Sequence, residues 1–290
     1  MKGIILAAGK GTRLYPITKP VCKPLLPVYD KPMIYYPLEL LMAAGIRDIL
    51  IIVPPDDQDP FVNLLGDGSQ FGIKITYLEQ KVQRGIADAF LIGADFIGDD
   101  SVCLALGDNI FYGPAFRQKL RQAIKNTEGA TIFGYYVADP RPFGVVEIDG
   151  NNKAISIEEK PEKPKSNYIV PGLYFYDNKV LDIAKQIKPS ARGELEITAV
   201  NNAYLTYGML NVIKLGEEFS WFDAGNADSL YTAAGAIRAA QRSGKMLGCP
   251  EETALRNKWI TVEQFKALAE TMANTRYGQY LLSALSDIED

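Results

Sequence analysis

Gly3-Ile4-Ile5-Leu6-Ala7-Ala8-Gly9-Lys10-Gly11-Thr12-Arg13-Leu14 opens the chain with a short apolar run that stops abruptly at two glycines, a threonine and an arginine. The apolar part reads as a buried strand and the remainder as a loop that cradles a phosphate. Gly9 and Gly11 lack a Cβ, so the backbone there is free to turn through positive φ and to offer successive N–H groups to an anion. Arg13 adds a rigid fork of donors that matches phosphate oxygens two at a time. Spacing excludes two common phosphate loops. A dinucleotide G-x-G-x-x-G needs glycine where Leu14 stands, and a Walker A loop needs Ser or Thr directly after Gly9-Lys10, where Gly11 stands.

Outward from this loop, apolar β-rich runs at Gly3–Leu6, Asp48–Val53, Lys74–Leu78 and Ser101–Leu106 alternate with helical patterns at Met33–Ala44, Pro60–Leu65 and Ile86–Ala94. That alternation is the signature of βαβ units, a mostly parallel sheet covered on both faces. Such sheets bind ligands at the carboxyl ends of their strands, where both the Gly9 loop and Gly107-Asp108-Asn109 fall. From about Ala130 the pattern turns to shorter β-rich runs, Thr131–Val137, Gly144–Ile148, Ile155–Glu158 and Val170–Tyr176, which reads as a mixed β insertion over the sheet. Helical patterns follow at Asn178–Gln186 and Glu194–Tyr207. Beyond Asp223 the chain is mainly helical, with Leu230, Ala233, Ala234, Ile237 and Ala240 on one stripe and further segments at Val262–Met272 and Tyr277–Leu285. A helical tail of about 50 residues is too small for a core of its own, so it is expected to pack on the main domain or on another subunit.

Composition narrows the chemistry. The chain has 290 residues, 35 acidic against 31 basic, and a formal charge of −4. That balance argues against a dedicated nucleic-acid or anionic-membrane binder. No apolar stretch reaches the roughly 18 to 20 residues of a membrane span, and a cytoplasmic location is expected. Cys22, Cys103 and Cys249 are odd in number and widely spaced, so ordinary reduced thiols are expected rather than a disulfide framework or metal clip. There is no histidine, which removes Ser-His-Asp and Cys-His systems, His-ligated zinc and imidazole bases. The chemistry falls to carboxylates, lysine, arginine and a hard metal.

The segment Tyr15 to Val28 carries Lys19 and Lys23 on a backbone stiffened by four prolines. With Leu6–Leu14 and Lys23-Pro24-Leu25-Leu26-Pro27, it resembles the sugar-nucleotide pyrophosphorylases, also called nucleotidyltransferases. The resemblance continues through Leu25–Tyr36, Leu106–Gly113, Glu158–Pro161, Pro171–Asp177, Arg192–Thr198 and Trp221–Leu230, and so covers nearly the whole chain. It implies an α/β fold: a Rossmann-like, mostly parallel central sheet with helices on both faces, a mixed β insertion over the sugar site and a helical C-terminal appendage. Residues 1–228 would form the nucleotidyltransferase domain, with the nucleotide half at about 1–110 and the sugar half at about 111–228, and residues 229–290 the tail.

The resemblance further implies Mg²⁺-dependent joining of dTTP and glucose 1-phosphate into dTDP-glucose and pyrophosphate. Carried over residue by residue, Arg13, Lys23 and Lys160 would be catalytic. Ala8, Gly9, Gly11, Thr12, Arg13, Lys23, Gln80, Gly85 and Asp108 would meet the nucleotide. Gly144, Glu159, Lys160, Val170, Arg192 and Glu194 would hold the sugar phosphate, and Asp108 and Asp223 the metal. A glutamine amide has both the donor and the acceptor that a thymine or uracil edge requires. A homotetramer, with a second nucleotide site near subunit contacts, is implied as well. Some positions depart from the family pattern: Ala8 replaces a common glycine, Pro24 a glutamine, Phe143 a tyrosine and Pro171 a threonine, while Ala224, Asn226 and Ala227 replace Thr, Thr and His. The charged groups survive these changes, whereas base and sugar choice stay open. A UTP-using or other-sugar enzyme, a non-catalytic sugar-nucleotide sensor and a glycosyltransferase on a similar sheet remain alternatives.

Overall fold

Ile4 and Ile5, neighbours in the first strand and both fully buried, point to opposite faces of one sheet. Ile4 joins a cluster with Leu50, Phe90, Tyr174 and Tyr204, and Ile5 joins another with Leu41, Ile51, Phe61 and Phe175. A strand buried on both faces cannot alternate apolar with polar, which is why the opening run is continuously apolar. Each such side chain taken out of water contributes about 1.5–3 kcal/mol. The computed structural model describes residues 1–126, 128–244 and 246–289.

The first half contains β1 (Lys2–Leu6), a hairpin of β2 (Pro27–Val28) and β3 (Lys31–Pro32), then α1 (Tyr35–Ala43), β4 (Asp48–Val53), α2 (Gln58–Leu65), β5 (Lys74–Glu79), α3 (Asp88–Ile92), α4 (Ala94–Ile97) and β6 (Val102–Leu106). β5, β4, β1 and β6 lie side by side and parallel. The chain runs from β1 out to β4 and β5, then returns to the far side of β1 as β6, so the strand order reverses at β1. Ligand sites in open α/β sheets open at such a reversal, beyond the carboxyl ends of the strands. The helical pattern at Ile86–Ala94 is split, because Gly93 stands between α3 and α4.

The second half contains β7 (Ile110–Tyr112), α5 (Phe116–Lys125), β8 (Ala130–Tyr136), β9 (Gly144–Ile148), β10 (Ala154–Glu159), β11 (Tyr168–Ile169), β12 (Leu173–Tyr176), α6 (Val180–Gln186), α7 (Ile197–Thr206), β13 (Leu210–Leu215), β14 (Ser220–Phe222), α8 (Ala227–Arg242), α9 (Pro250–Arg256), α10 (Val262–Thr271) and α11 (Arg276–Glu289). β12 pairs antiparallel with β6, and β8, β11, β9 and β10 follow, so the mixed segment is hydrogen-bonded into the same ten-stranded sheet. The run Val170–Tyr176 is interrupted at Pro171-Gly172. Proline has no N–H for the ladder, and the Gly172 N–H instead donates to Asn109 Oδ1 at 2.9 Å.

The tail packs on the main domain. Leu255, Phe265, Ala269 and Leu281 join the cluster of Leu41, Leu65 and Phe71, while Ala233 and Ile237 of α8 pack with Val28, Met33 and Tyr36 beside the hairpin. Two capping boxes set its helix starts. Asn226 and Ser229 exchange hydrogen bonds at the head of α8, as Thr261 and Gln264 do at the head of α10.

Candidate active site

At the carboxyl end of β1, Gly11 carries the left-handed turn, at φ 59°. A Cβ at Gly11 would sit 3.1 Å from both Lys23 Cβ and Thr18 Cγ2, and Thr18 Oγ1 donates to the Gly11 carbonyl at 2.7 Å. Gly9 does not take positive φ, contrary to expectation, and nothing among the described residues lies within 4 Å of where its Cβ would be. Gly11 alone makes the turn, and Gly9 keeps the space above the loop open. Thr12 begins the short 3-10 turn that follows. The Ala8 carbonyl accepts from Gln83 Nε2 at 2.7 Å.

Lys23 is folded under this loop with its side chain 7% exposed, and its Nζ lies 2.5 Å from Asp108 Oδ2 and 3.4 Å from the Asp223 carbonyl. One ammonium thereby links three segments far apart in sequence. Asp108 Oδ1 accepts from Asn109 Nδ2 at 2.8 Å. Asn109 Oδ1 in turn accepts from Trp221 Nε1 at 2.6 Å and from Gly172 N, so it pins β14 and the β11–β12 bend to the end of β6. The indole edge also meets the Phe143 ring, with centroids 5.2 Å apart.

A cavity of ≈ 260 Å³ is lined by Arg13, Asp108, Gly144, Glu159, Lys160, Val170 and Asp223, among others. A neighbouring one of ≈ 220 Å³ is lined by Gly9, Lys23, Pro24 and, shared with the first, Ile86, Leu106 and Asp108. Arg13 and Lys160 form no ion pair among the described residues, although carboxylates line the same space. Two uncommitted cations over a phosphate loop suit polyanionic ligands. A larger cavity, ≈ 400 Å³, lies at α1 and α5 behind a mostly apolar lining. Charge, rather than volume, singles out the site.

Two non-glycine residues at positive φ lie here, as others do elsewhere in the fold. Lys160 adopts φ 46° and Ala224, beside Asp223, φ 38°, a region that costs a non-glycine residue about 1–2 kcal/mol. A Cβ at Gly225 would stand 3.0 Å from Asp223 Oδ2 and 3.2 Å from Arg13 Nη2, which places the guanidinium and this carboxylate on the same backbone. Asp108 and Asp223 are the donors available to a cation. Among the described residues no group of three or more acidic, histidine or cysteine side chains could hold a metal. Two carboxylates beside a phosphate loop fit a hard ion that takes its other ligands from phosphate and water, as Mg²⁺ does.

The other expected residues stand around this centre. Glu159 Oε2 accepts from Thr198 Oγ1 at 2.5 Å. Arg192 lies outside the cavity lining, among Glu159, Glu194 and Glu196 at 3.5, 3.5 and 2.7 Å. The hydrogen bond to Glu196 holds its guanidinium above the ordinary value. Gln80, 5% exposed, lies behind Gly85, whose carbonyl faces Gln80 Nε2 at 3.4 Å. Gly85 takes φ 106°, and a Cβ there would lie 2.5 Å from the Leu195 carbonyl. Sequence reasoning passed over Thr198 and Asn201 as cavity residues; both lie on α7, where only the fold brings them to β10. Asn109 and Trp221 had a signal, each adjoining a motif aspartate or its segment. Cys22 is buried, which pushes its thiol up to about 12, and all three cysteines are free.

A nucleotidyl transferase family profile matches residues 2–240. The chain belongs to this nucleotidyl transferase family. A Neisseria meningitidis relative named glucose-1-phosphate thymidylyltransferase is 58% identical over 98% of this chain and 99% of its own. One of the same name from Mycobacterium tuberculosis H37Rv is 53% identical over the same shares. A solved structure from Bacillus anthracis, assigned as a glucose-1-phosphate thymidylyltransferase and complexed with a sucrose, superposes with TM-score 0.76 at 46% identity, covering 82% of this chain and 95% of that one. A UDP-glucose pyrophosphorylase complexed with UDP-glucose matches at TM-score 0.72 and 24% identity over 82% and 98%, which bears on the fold alone. For a nucleotidyl transferase, the absence of histidine is no obstacle, since phosphoryl transfer asks mainly for positioning and charge.

Proposed function

We propose that this nucleotidyl transferase forms dTDP-glucose and pyrophosphate from dTTP and α-D-glucose 1-phosphate. The observation that carries the reading is the single cavity in which Arg13, Lys160, Asp108 and Asp223 converge beside the Gly9–Gly11 loop, in a chain whose near-full-length relatives bear that activity in their names.

A sugar 1-phosphate already carries an anionic oxygen, so its attack on the α-phosphorus requires no side chain to remove a proton. What must be overcome is repulsion: at ~4 Å and an effective dielectric of ~20, two unit charges repel by about 4 kcal/mol. Arg13 clamps nucleotide phosphate oxygens with its fork, Lys23 sits beneath the loop, and Lys160 holds the sugar phosphate in line for attack. The loop amides of Ala8 to Thr12 meet the triphosphate, and Gln80 and Gly85 meet the base. Gly144, Glu159 and Val170 hold the sugar, with Arg192 and Glu194 at its edge. Asp108 and Asp223 would hold Mg²⁺, which when bound neutralises charge on the transferring group and the departing pyrophosphate. The β6 side of the sheet divides a nucleotide half, about 1–110, from a sugar half, about 111–228. Cytoplasmic location and a homotetramer are part of the proposal; Tyr231, 82% exposed on α8, is a place where copies could meet.

Pro24 lines the smaller cavity without an amide for the base, which favours UTP as a second accepted nucleotide. A pyrophosphate-release assay crossing dTTP, UTP, CTP, ATP and GTP with the 1-phosphates of glucose, galactose and mannose tests both readings. Fastest turnover with dTTP and glucose 1-phosphate is expected, and no release with any pair would refute an enzyme. Light scattering that gives a monomer would refute the tetramer.

A further inference from the structure

The first turn of α3 contains a buried carboxylate that the mechanism above does not use. Asp88 is 1% exposed. Its Oδ2 accepts from Gln80 Nε2 at 3.1 Å, and its Oδ1 from Arg84 Nη2 at 2.8 Å. The second hydrogen of Gln80 Nε2 faces the Gly85 carbonyl. Both donors of the Gln80 amide are therefore engaged by the protein. Nothing among the described residues donates to its Oε1. Among those residues only Asp48 Oδ1 and Asn201 Nδ2 are sealed-in side-chain polar atoms without a partner, so Gln80 Oε1 is not fully sealed from solvent.

The two ends of an amide have the same shape, and partners alone decide which way it points. A carboxylate only accepts, so Asp88 requires the nitrogen. We propose that Asp88, clamped by Arg84, is a positioning residue that fixes Gln80 with its carbonyl oxygen toward the nucleotide, so that the site selects bases with an N3–H donor and rejects cytosine. Thymine and uracil offer that N3–H to the oxygen, whereas cytosine presents a lone pair at N3 and repels it. The reverse amide orientation would reverse the preference. This rests on the reading that Gln80 meets the base.

The test compares kcat and KM for dTTP and dCTP, at saturating glucose 1-phosphate, in the wild type and in Asp88→Asn, Arg84→Ala and Gln80→Ala. Asparagine at 88 can pair with either end of the Gln80 amide. KM for dTTP then rises about tenfold, kcat stays within about twofold, and preference for dTTP over dCTP falls about tenfold or more, as expected for one lost discriminating hydrogen bond. A merely structural change would move both nucleotides alike. Arg84→Ala lies at the exposed end of the pair and shifts the preference in the same direction, so the test survives if Asp88→Asn fails to fold. Wild-type preference in folded Asp88→Asn or, failing that, Arg84→Ala, with preference lost in Gln80→Ala, overturns the positioning role and leaves the base reading standing. Unchanged preference in Gln80→Ala overturns the base reading and this inference with it.

Discussion

Replacing Lys160 by glycine should make the protein more stable and nearly inactive. The side chain is exposed and unpaired among the described residues, so its removal takes away no ion pair, while its backbone sits at φ 46°. A non-glycine residue held there is strained by about 1–2 kcal/mol, and glycine relieves that strain. Against this stands the larger backbone entropy that glycine loses on folding, about 0.5–1 kcal/mol relative to alanine. The balance is a gain of up to about 1.5 kcal/mol, or a rise in Tm of up to roughly 4 °C for a chain of this size. Turnover should fall by about 10²–10³, the usual effect of deleting one group that stabilises developing charge. Lys160→Ala separates the two effects, since it loses the ammonium but keeps the strain: equal loss of turnover, with Tm unchanged. Calorimetry and pyrophosphate release on the three purified proteins decide. A Tm that falls in Lys160→Gly, or turnover that persists in Lys160→Ala, refutes the view that this lysine is held in a strained backbone for its charge.

Asp108→Asn should lower turnover by about 10² or more and, because it exchanges the counter-charge of the buried Lys23 ammonium for a neutral amide, lower stability by about 1–3 kcal/mol; a folded variant with wild-type turnover would refute the role of Asp108. Arg13→Lys should lose about tenfold or more in turnover while Tm stays put, because an ammonium cannot reproduce the bidentate fork; equal kinetics would show that charge alone suffices. Stability should also depend on pH through the tail. Burial raises the Glu251 carboxyl, which accepts from Tyr277 Oη, and likewise raises Glu39. The folded protein then binds more protons than the unfolded chain as pH rises above the ordinary glutamate value, so stability falls with rising pH in that window and is recovered toward acid. Glu251→Gln should flatten this slope in denaturant titrations at pH 5 and pH 7, and an unchanged slope would show that Glu251 does not contribute to it.

Much of the fold was legible because its signals are local. β1, β4, β5 and β6 lie within a residue of the apolar runs that announce them, since strands buried on both faces must be apolar throughout. Two elements were missed although their pattern is in the sequence: Phe116, Leu120, Ala123 and Ile124 recur at helical spacing in α5, and Leu210, Val212, Ile213 and Leu215 make β13 an apolar run. β14 is three half-buried residues whose strand character comes from pairing with β7, more than 100 residues away. The site divided in the same way. A turn in the glycine loop could be read from spacing, but not that Gly11 rather than Gly9 makes it, since Lys23 and Thr18 meet Gly11 only in the fold.

The sequence alone determined the kinds of chemistry open to this protein: no imidazole, a phosphate loop after an apolar strand, and cations and carboxylates in family order. Those are properties of composition and of neighbours along the chain. Only the tertiary structure decided which charges meet. It set the Lys23 ammonium between Asp108 and the carbonyl of Asp223, left Arg13 and Lys160 without an ion-pair partner among the described residues in one cavity, and turned Arg192 toward three glutamates. Electrostatic partners are chosen by distances of a few ångströms between residues separated by up to 200 positions, and those distances exist only once the sheet has closed around its core.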